Sequence, residues 1–182
     1  MKKITEEELK TILEQHTLWL DSNETEGKRA DLTDANLSGA DLSGANLTRA
    51  NLAYANLTGA YLTRANLSGA DLIGAHLYVA YLSGADLYGA ILIGTNLTGA
   101  NLRHADLSGA NLTCANLTGA DLELAILTDT ILDEKEQCRK GIVLTEPMIG
   151  YKNSNEYKII TLEIPIGAKI FSINNKKRRT NK

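Results

Sequence analysis

Residues 30–69 read ADLTD ANLSG ADLSG ANLTR ANLAY ANLTG AYLTR ANLSG, and this stretch decides the fold. Leu stands at every fifth position from Leu32 to Leu132, 21 times without a slip. Two residues earlier the residue is Ala in every repeat but two, where Thr95 and Thr130 stand. Asn or Asp usually precedes the Leu, and Ser or Thr usually follows it. The next position is Gly in 11 of the 20 repeats from Leu32 to Leu127. Self-similarity at a fixed period outranks other sequence signals, because overlooking it misassigns the whole fold.

A period of five suits neither a straight helix nor a straight strand. At about 100° per residue the leucines of a helix would advance by roughly 140° net and form no stripe. In a strand, side chains alternate faces, so an odd step would flip each successive Leu. The pattern closes if every repeat is a short extended segment plus a corner. Leu and the Ala two before it then share the inward face. In Leu-Ser-Gly-Ala, Gly takes the third position of a four-residue turn, where a type II turn wants positive φ. Asp34, Arg49, Tyr54, Arg64, Val79, His104, Cys114, Leu124 and Asp129 occupy that position elsewhere. Those corners are expected to use another turn type.

The word A-[DN]-L-x-x across residues 30–132 resembles the pentapeptide-repeat family. The resemblance implies an all-β solenoid, a right-handed four-sided parallel β-helix with four pentapeptides per coil and about five coils. Its core would be a Leu column, exemplified by Leu52, Leu72, Leu92 and Leu112, with Ala70 and Ala90 filling the layers between.

The remaining chain is read around that rod. Residues 1–29 are expected to form a capping helix over about 5–20, followed by a polar connector. Thr5 and Glu8 have capping-box spacing; Leu9, Ile12, Leu13, His16 and Leu20 fall near one helical face, with Trp19 beside it. A helix there would cover an open solenoid end. His16 reads as a packing or polar-edge residue. Residues 133–175 break the period and are expected to form a cap or small β-module, with strands at 142–144, 157–164 and 168–173 separated by turn-rich 146–155. From residues 150–152 to 162–165 this segment is similar to a β-module found after pentapeptide repeats in some bacterial and phage proteins. Residues 176–182 read as a basic disordered tail.

Stacking positions 20 apart sorts the surface. Asn36, Asn56, His76, Asn96 and Asn116 make a polar ladder, its amides expected to bond along the stack. Tyr61 and Tyr81 should stack on adjacent coils. Ile73, Ile91 and Ile93 cluster near Tyr54, and such apolar clusters usually mark a contact. The plainer expectation is that the chain's own C-terminal segment covers them, with a homodimer interface the alternative.

Net charge is −3. It divides into −2 for residues 1–29, −6 for 30–132 and +5 for 133–182. The basic end could bind nucleic acid only nonspecifically. There is no apolar run of about 18 residues and no apolar signal core. Two cysteines, Cys114 and Cys138, give no disulfide framework or metal cluster, so a reducing bacterial cytoplasm is the default. No catalytic constellation or phosphate loop is discernible, and no cofactor or metal is expected.

Two functional classes follow. The first is a non-enzymatic scaffold with a protein partner, its candidate surface Ile73, Ile91, Ile93, Tyr54, Tyr61 and Tyr81. The second comes from the resemblance: some members are DNA mimics that bind DNA gyrase and confer quinolone resistance. Mimicry would rest on Asp71, Asp86, Asp106 and Asp121, but before the Leu uncharged Asn outnumbers Asp, nine to six. Gyrase-acting members often have Phe at the central position, which this chain never does.

Overall fold

The structure, a computed structural model, describes residues 1–132 and the backbones of two further strands. Strand β1 (Lys2–Lys3) and helix α1 (Glu6–Asp21) precede the repeats, and β2 (Ala35–Asn36) lies within the first coil. Strands β3 (Glu146–Ile149) and β4 (Ile159–Leu162) pair antiparallel. Tyr157–Ile164 was the expected strand that contains β4. Residues 146–149 were expected in a turn-rich segment and instead pair along their whole length with β4. Pro147 sits opposite Thr161 in a two-stranded sheet, where both strands are edges and Pro is tolerated. The expected strands at 142–144 and 168–173, and the basic tail, lie outside the described residues.

From residue 31 the chain climbs by parallel pairing at a constant offset of 20, from Asp31 opposite Asn51 to Asn111 opposite Ile131. In a repeat with Asn or Asp before the Leu, the backbone N–H groups of a middle coil can be accounted for one by one. Take the repeat around Leu52. Asn51 N–H donates to Ala30 O below (2.9 Å), and Leu52 N–H to Asp71 O above (2.7 Å). Tyr54 N–H donates to Ile73 O above (2.8 Å), and Ala55 N–H closes the corner on Leu52 O (3.1 Å). The remaining donor, Ala53 N–H, goes to the Asn51 side chain, Oδ1, at 3.1 Å. This explains the Asn or Asp that usually precedes the Leu. All fifteen such rungs accept a hydrogen bond from the N–H two residues on. Buried or half-buried backbone donors need partners, and a short side-chain oxygen supplies the one the coil cannot.

The corners correct the sequence expectation. Tyr54, Val79, His104 and the other non-glycine corner residues do not switch to another turn. They adopt φ of 50–60°, beside 61–69° at the corner glycines. Inter-coil bonding overrides local preference: Val79 N–H must still reach Thr98 O at 2.9 Å. The amide ladder is also shorter than expected. Asn56 Nδ2 donates to Asn36 Oδ1 at 3.3 Å, while the other rung oxygens serve their own turns.

Inside, Leu52, Leu72 and Leu92 have no exposure, Leu112 is 1 % exposed, and Ala70 and Ala90 are fully buried. The two exceptions to the Ala rule keep their hydroxyls satisfied. Thr95 Oγ1 donates to Leu72 O (2.8 Å) and Thr130 Oγ1 to Leu107 O (2.9 Å). At the N-terminal end Lys2 pairs with Ala35, and Ile4, Leu9, Ile12 and Leu13 pack against the Leu column. Thr5 and Glu8 form the expected capping box (Thr5 N–H to Glu8 Oε2, 2.8 Å). The helix ends at a tight connector. Gly27 is held at φ 70°, and a Cβ there would lie 2.3 Å from Gln15 O, so only Gly fits.

Two substitutions test this frame. Leu72→Ala should lower unfolding free energy by about 2–5 kcal/mol in chemical denaturation. Val79→Gly should raise it, by up to about 1 kcal/mol, because a β-branched residue leaves the left-handed region; an unchanged or lower midpoint would contradict the strain.

Candidate functional site

The rungs that break the Asn/Asp rule within residues 36–121 are Tyr61, His76, Tyr81 and Ile91. Each gives up the local side-chain bond that the other rungs make. They fall together, in the middle coils. Residues of the same height depart from the small, polar surface in the same way: Tyr78 and Tyr88 replace the usual Ser or Thr, and Val79 replaces a corner Gly. Tyr54, Tyr61, Tyr78, Tyr81 and Tyr88 are all about half exposed, from 45 % to 59 %. Residues 71–90 carry Ile73, Tyr78, Val79, Tyr81 and Tyr88 in one circuit, so the apolar decoration forms a belt at mid-height.

Tyr61 and Tyr81 stack as expected, ring centroids 4.9 Å apart and 5° from parallel. Each ring thereby uses one face on the other. Tyr54 is placed differently. Its ring lies across the Cα of Gly74, one coil above: a Cβ on Gly74 would meet the ring at 2.7 Å. Arg49 over Gly69 and Val79 over Gly99 repeat the arrangement at 3.3 and 3.2 Å. At each of these three corners the residue 20 positions later is a glycine that makes room for the side chain.

Ile73, Ile91 and Ile93 are half-buried, so in the middle coils the most exposed large apolar groups are the tyrosines. The expected surface divides in two: Tyr54 with the isoleucines belongs to one bridge row, Tyr61 and Tyr81 to another. Tyr78 and Val79 were missed by sequence reasoning. Their signal was available, since both sit at outward positions of the repeat that normally hold Ser, Thr or Gly.

The acidic candidates do not form a row. Asp71 stacks between Asn51 and Ile91. Asp86 and Asp106 are neighbours, but Asn66 and Ile126 flank them. Asp121 is ion-paired to Arg103, which also holds Glu123. Each of the four carboxylates spends one oxygen on a backbone N–H, at 2.9–3.0 Å. The same arrangement holds the Asp31 and Asp41 carboxyls below the usual range, through the Thr33 and Ser43 side chains first and their N–H groups second.

Cys114 is disulfide-bonded, against the expectation that the cysteines give no disulfide framework. The expectation of a reducing compartment therefore loses the support it drew from cysteine usage. Among the described residues no group of His, Cys, Asp and Glu could hold a metal ion, and no helix is long and apolar enough to cross a membrane.

Comparison with known proteins bears on the rod. A family model described as pentapeptide repeats matches residues 30–69, 60–99 and 90–129, in 8 copies overall. Rfr23, a pentapeptide repeat protein from the cyanobacterium Cyanothece 51142, is 32 % identical, with 67 % of this chain and 96 % of that one covered and a TM-score of 0.54. The pentapeptide repeat protein alr5209 from Nostoc PCC 7120 is 30 % identical over 68 % of this chain and 96 % of its own, TM-score 0.50. A QnrB1 structure, a plasmid-mediated fluoroquinolone resistance protein, is 21 % identical over 57 % of this chain and 82 % of its own. Its TM-score of 0.27 carries no functional argument. No curated protein matches the chain.

The Tyr54–Gly74 contact is testable by a double-mutant cycle. Gly74→Ala should cost roughly 1–3 kcal/mol, from backbone strain and the clash. In a Tyr54→Ala background the cost should fall to the strain alone, near that of Gly89→Ala, where nothing lies within 4 Å.

Proposed function

The chain belongs to the pentapeptide-repeat family, and from that premise we propose that it is a non-enzymatic scaffold presenting the tyrosine belt to a protein partner. We take residues 30–132 as a right-handed, four-sided rod of about five coils. Residues 1–29 serve as its N-terminal cap, 133–175 as a small C-terminal β-module and 176–182 as a basic tail. The observation that carries the function is local sacrifice. Tyr61, His76, Tyr81 and Ile91 each forgo a backbone-satisfying bond that every Asn or Asp rung makes. Departures from an otherwise consistent local rule concentrate where function is exerted. Tyrosines bring large contact area with few rotatable bonds, and they are enriched among the residues that dominate protein interfaces. Stacking fixes Tyr61 and Tyr81 in advance and the glycine seat fixes Tyr54, which lowers the ordering cost of binding.

DNA mimicry draws no comparable support. It needs negative charge repeated along the rod, and the four candidate aspartates are scattered, locally bonded and in one case ion-paired to Arg103.

The test joins stability to binding. Replacing Tyr61 and Tyr81 together by Asn restores two consensus rungs. It gains two hydrogen bonds of about 0.5–1.5 kcal/mol each and loses one ring stack of similar size, so the variant should be as stable as the native chain or more so. It should fail to retain a partner that the native chain captures and that purified components reconstitute. Replacing Asp71, Asp86, Asp106 and Asp121 by Asn should leave that binding, and gyrase supercoiling, unchanged. Full binding by the tyrosine variant would remove the belt reading. Inhibition of gyrase by the native chain, lost in the aspartate variant, would replace it with mimicry.

A further inference from the structure

We infer that His16 is a proton-operated latch, which holds helix α1 on the first coil while neutral and releases it when protonated. His16 is fully buried. Its Nδ1 accepts a hydrogen bond from Ala30 N–H at 3.1 Å, tying the middle of the helix to the residue that opens the repeats. The neutral ring must therefore carry its proton on Nε2. That nitrogen faces the Thr48 carbonyl without completing a hydrogen bond. The ring stacks on Trp19, centroids 5.5 Å apart. Arg49 covers Trp19, 4.9 Å from its ring centroid.

A second proton can only go on Nδ1. It would point at Ala30 N–H, so a bond becomes a donor-donor conflict in a buried site. The charged groups around the ring make this worse. Arg29 of the connector and Arg49 of the first-coil corner are both cationic, and Glu24 of the connector is already paired with Arg49. Burial, seconded by Arg29 and Arg49 and opposed by the Thr48 carbonyl, lowers the His16 pKa from its ordinary 6.5. A lowered value means that the released helix binds the proton better than the docked one. Docking is therefore at full strength above about pH 6.5 and weakens below it. By linkage the docked-to-released ratio falls about tenfold per pH unit until the docked-state value is reached. Release would uncover Leu9, Ile12 and Leu13 of the helix together with the first-coil leucines. The carboxylates of Asp31 and Asp41, held below 3.8, titrate in a lower range.

The full chain would be titrated from about pH 7.5 to about 4.5, following emission of Trp19, the chain's one tryptophan, and amide exchange corrected for its intrinsic pH dependence. Emission should shift to the red, and residues 6–21 should lose protection about tenfold per pH unit, while the middle coils stay protected. His16→Gln keeps an acceptor for Ala30 N–H but cannot titrate, so both signals should stay flat. A double His76→Gln, His104→Gln variant, altered only at exposed histidines, should keep the native transition. A native chain unchanged down to about pH 4.5, an equal transition in His16→Gln, or its loss in the double variant would each overturn the latch. If His16→Gln is released at every pH, histidine C–H NMR decides. A His16 resonance that titrates with the Trp19 change supports the latch, and one that titrates apart from it overturns it.

Discussion

The hydrogen bond from each Leu N–H to the carbonyl 19 residues ahead, as from Leu52 to Asp71 at 2.7 Å, sets the terms for everything else. It requires the chain to complete a circuit in 20 residues, hence four corners per circuit. Each corner requires one residue at positive φ, whether or not that residue is glycine. Bonding to the coils above and below takes three of the five N–H groups in a repeat, and the corner takes a fourth. The last is served by a side chain wherever Asn or Asp precedes the Leu. The five-letter word is thus an accounting of donors as much as a hydrophobic pattern. Leu fills the interior, Ala lets the chain close, Asn or Asp answers the stranded N–H, and Gly relaxes the corner.

That division explains what could be read from the sequence. The inward face was legible because Leu and Ala never trade roles. The stack of Tyr61 on Tyr81 was legible because the period fixes which residues are neighbours. The helix was legible from Thr5 and Glu8. The corners at Tyr54 and Val79 were misjudged because local preference argues against positive φ for such residues. Their N–H bonds to Ile73 and Thr98 enforce it, and a preference worth about 1 kcal/mol cannot compete with a coil on both sides. The rung amides were misjudged for a related reason. A ladder along the axis is geometrically available, but the N–H two residues on is closer and would otherwise be unpaired. The pairing of residues 146–149 was missed because Pro147 and nearby turn residues masked a short edge strand.

The same accounting bears on function. A carboxylate that brackets its own turn keeps its charge, but the turn already accounts for its presence, so counting aspartates is weak support for mimicry. A rung that gives up the bracket is informative in the opposite sense, because its side chain is retained against a local cost. By that measure Tyr61, His76, Tyr81 and Ile91 stand out more clearly than any acidic residue. The half-buried isoleucines add width to the belt rather than forming its exposed crest.

Tyr54 and Gly74 are separated by one full circuit, as are Tyr61 and Tyr81. Their partnership is therefore a matter of reading frame. Loss or gain of one five-residue word between them would leave the local pattern intact, and every Leu would still point inward. Yet each residue above the edit would move to the adjacent side. The Tyr54 ring would lose its glycine seat, and the two stacked rings would part. Only edits of 20 residues keep the sides in register, so this rod can lengthen or shorten freely by whole circuits, whereas a single-word edit rewrites its surface.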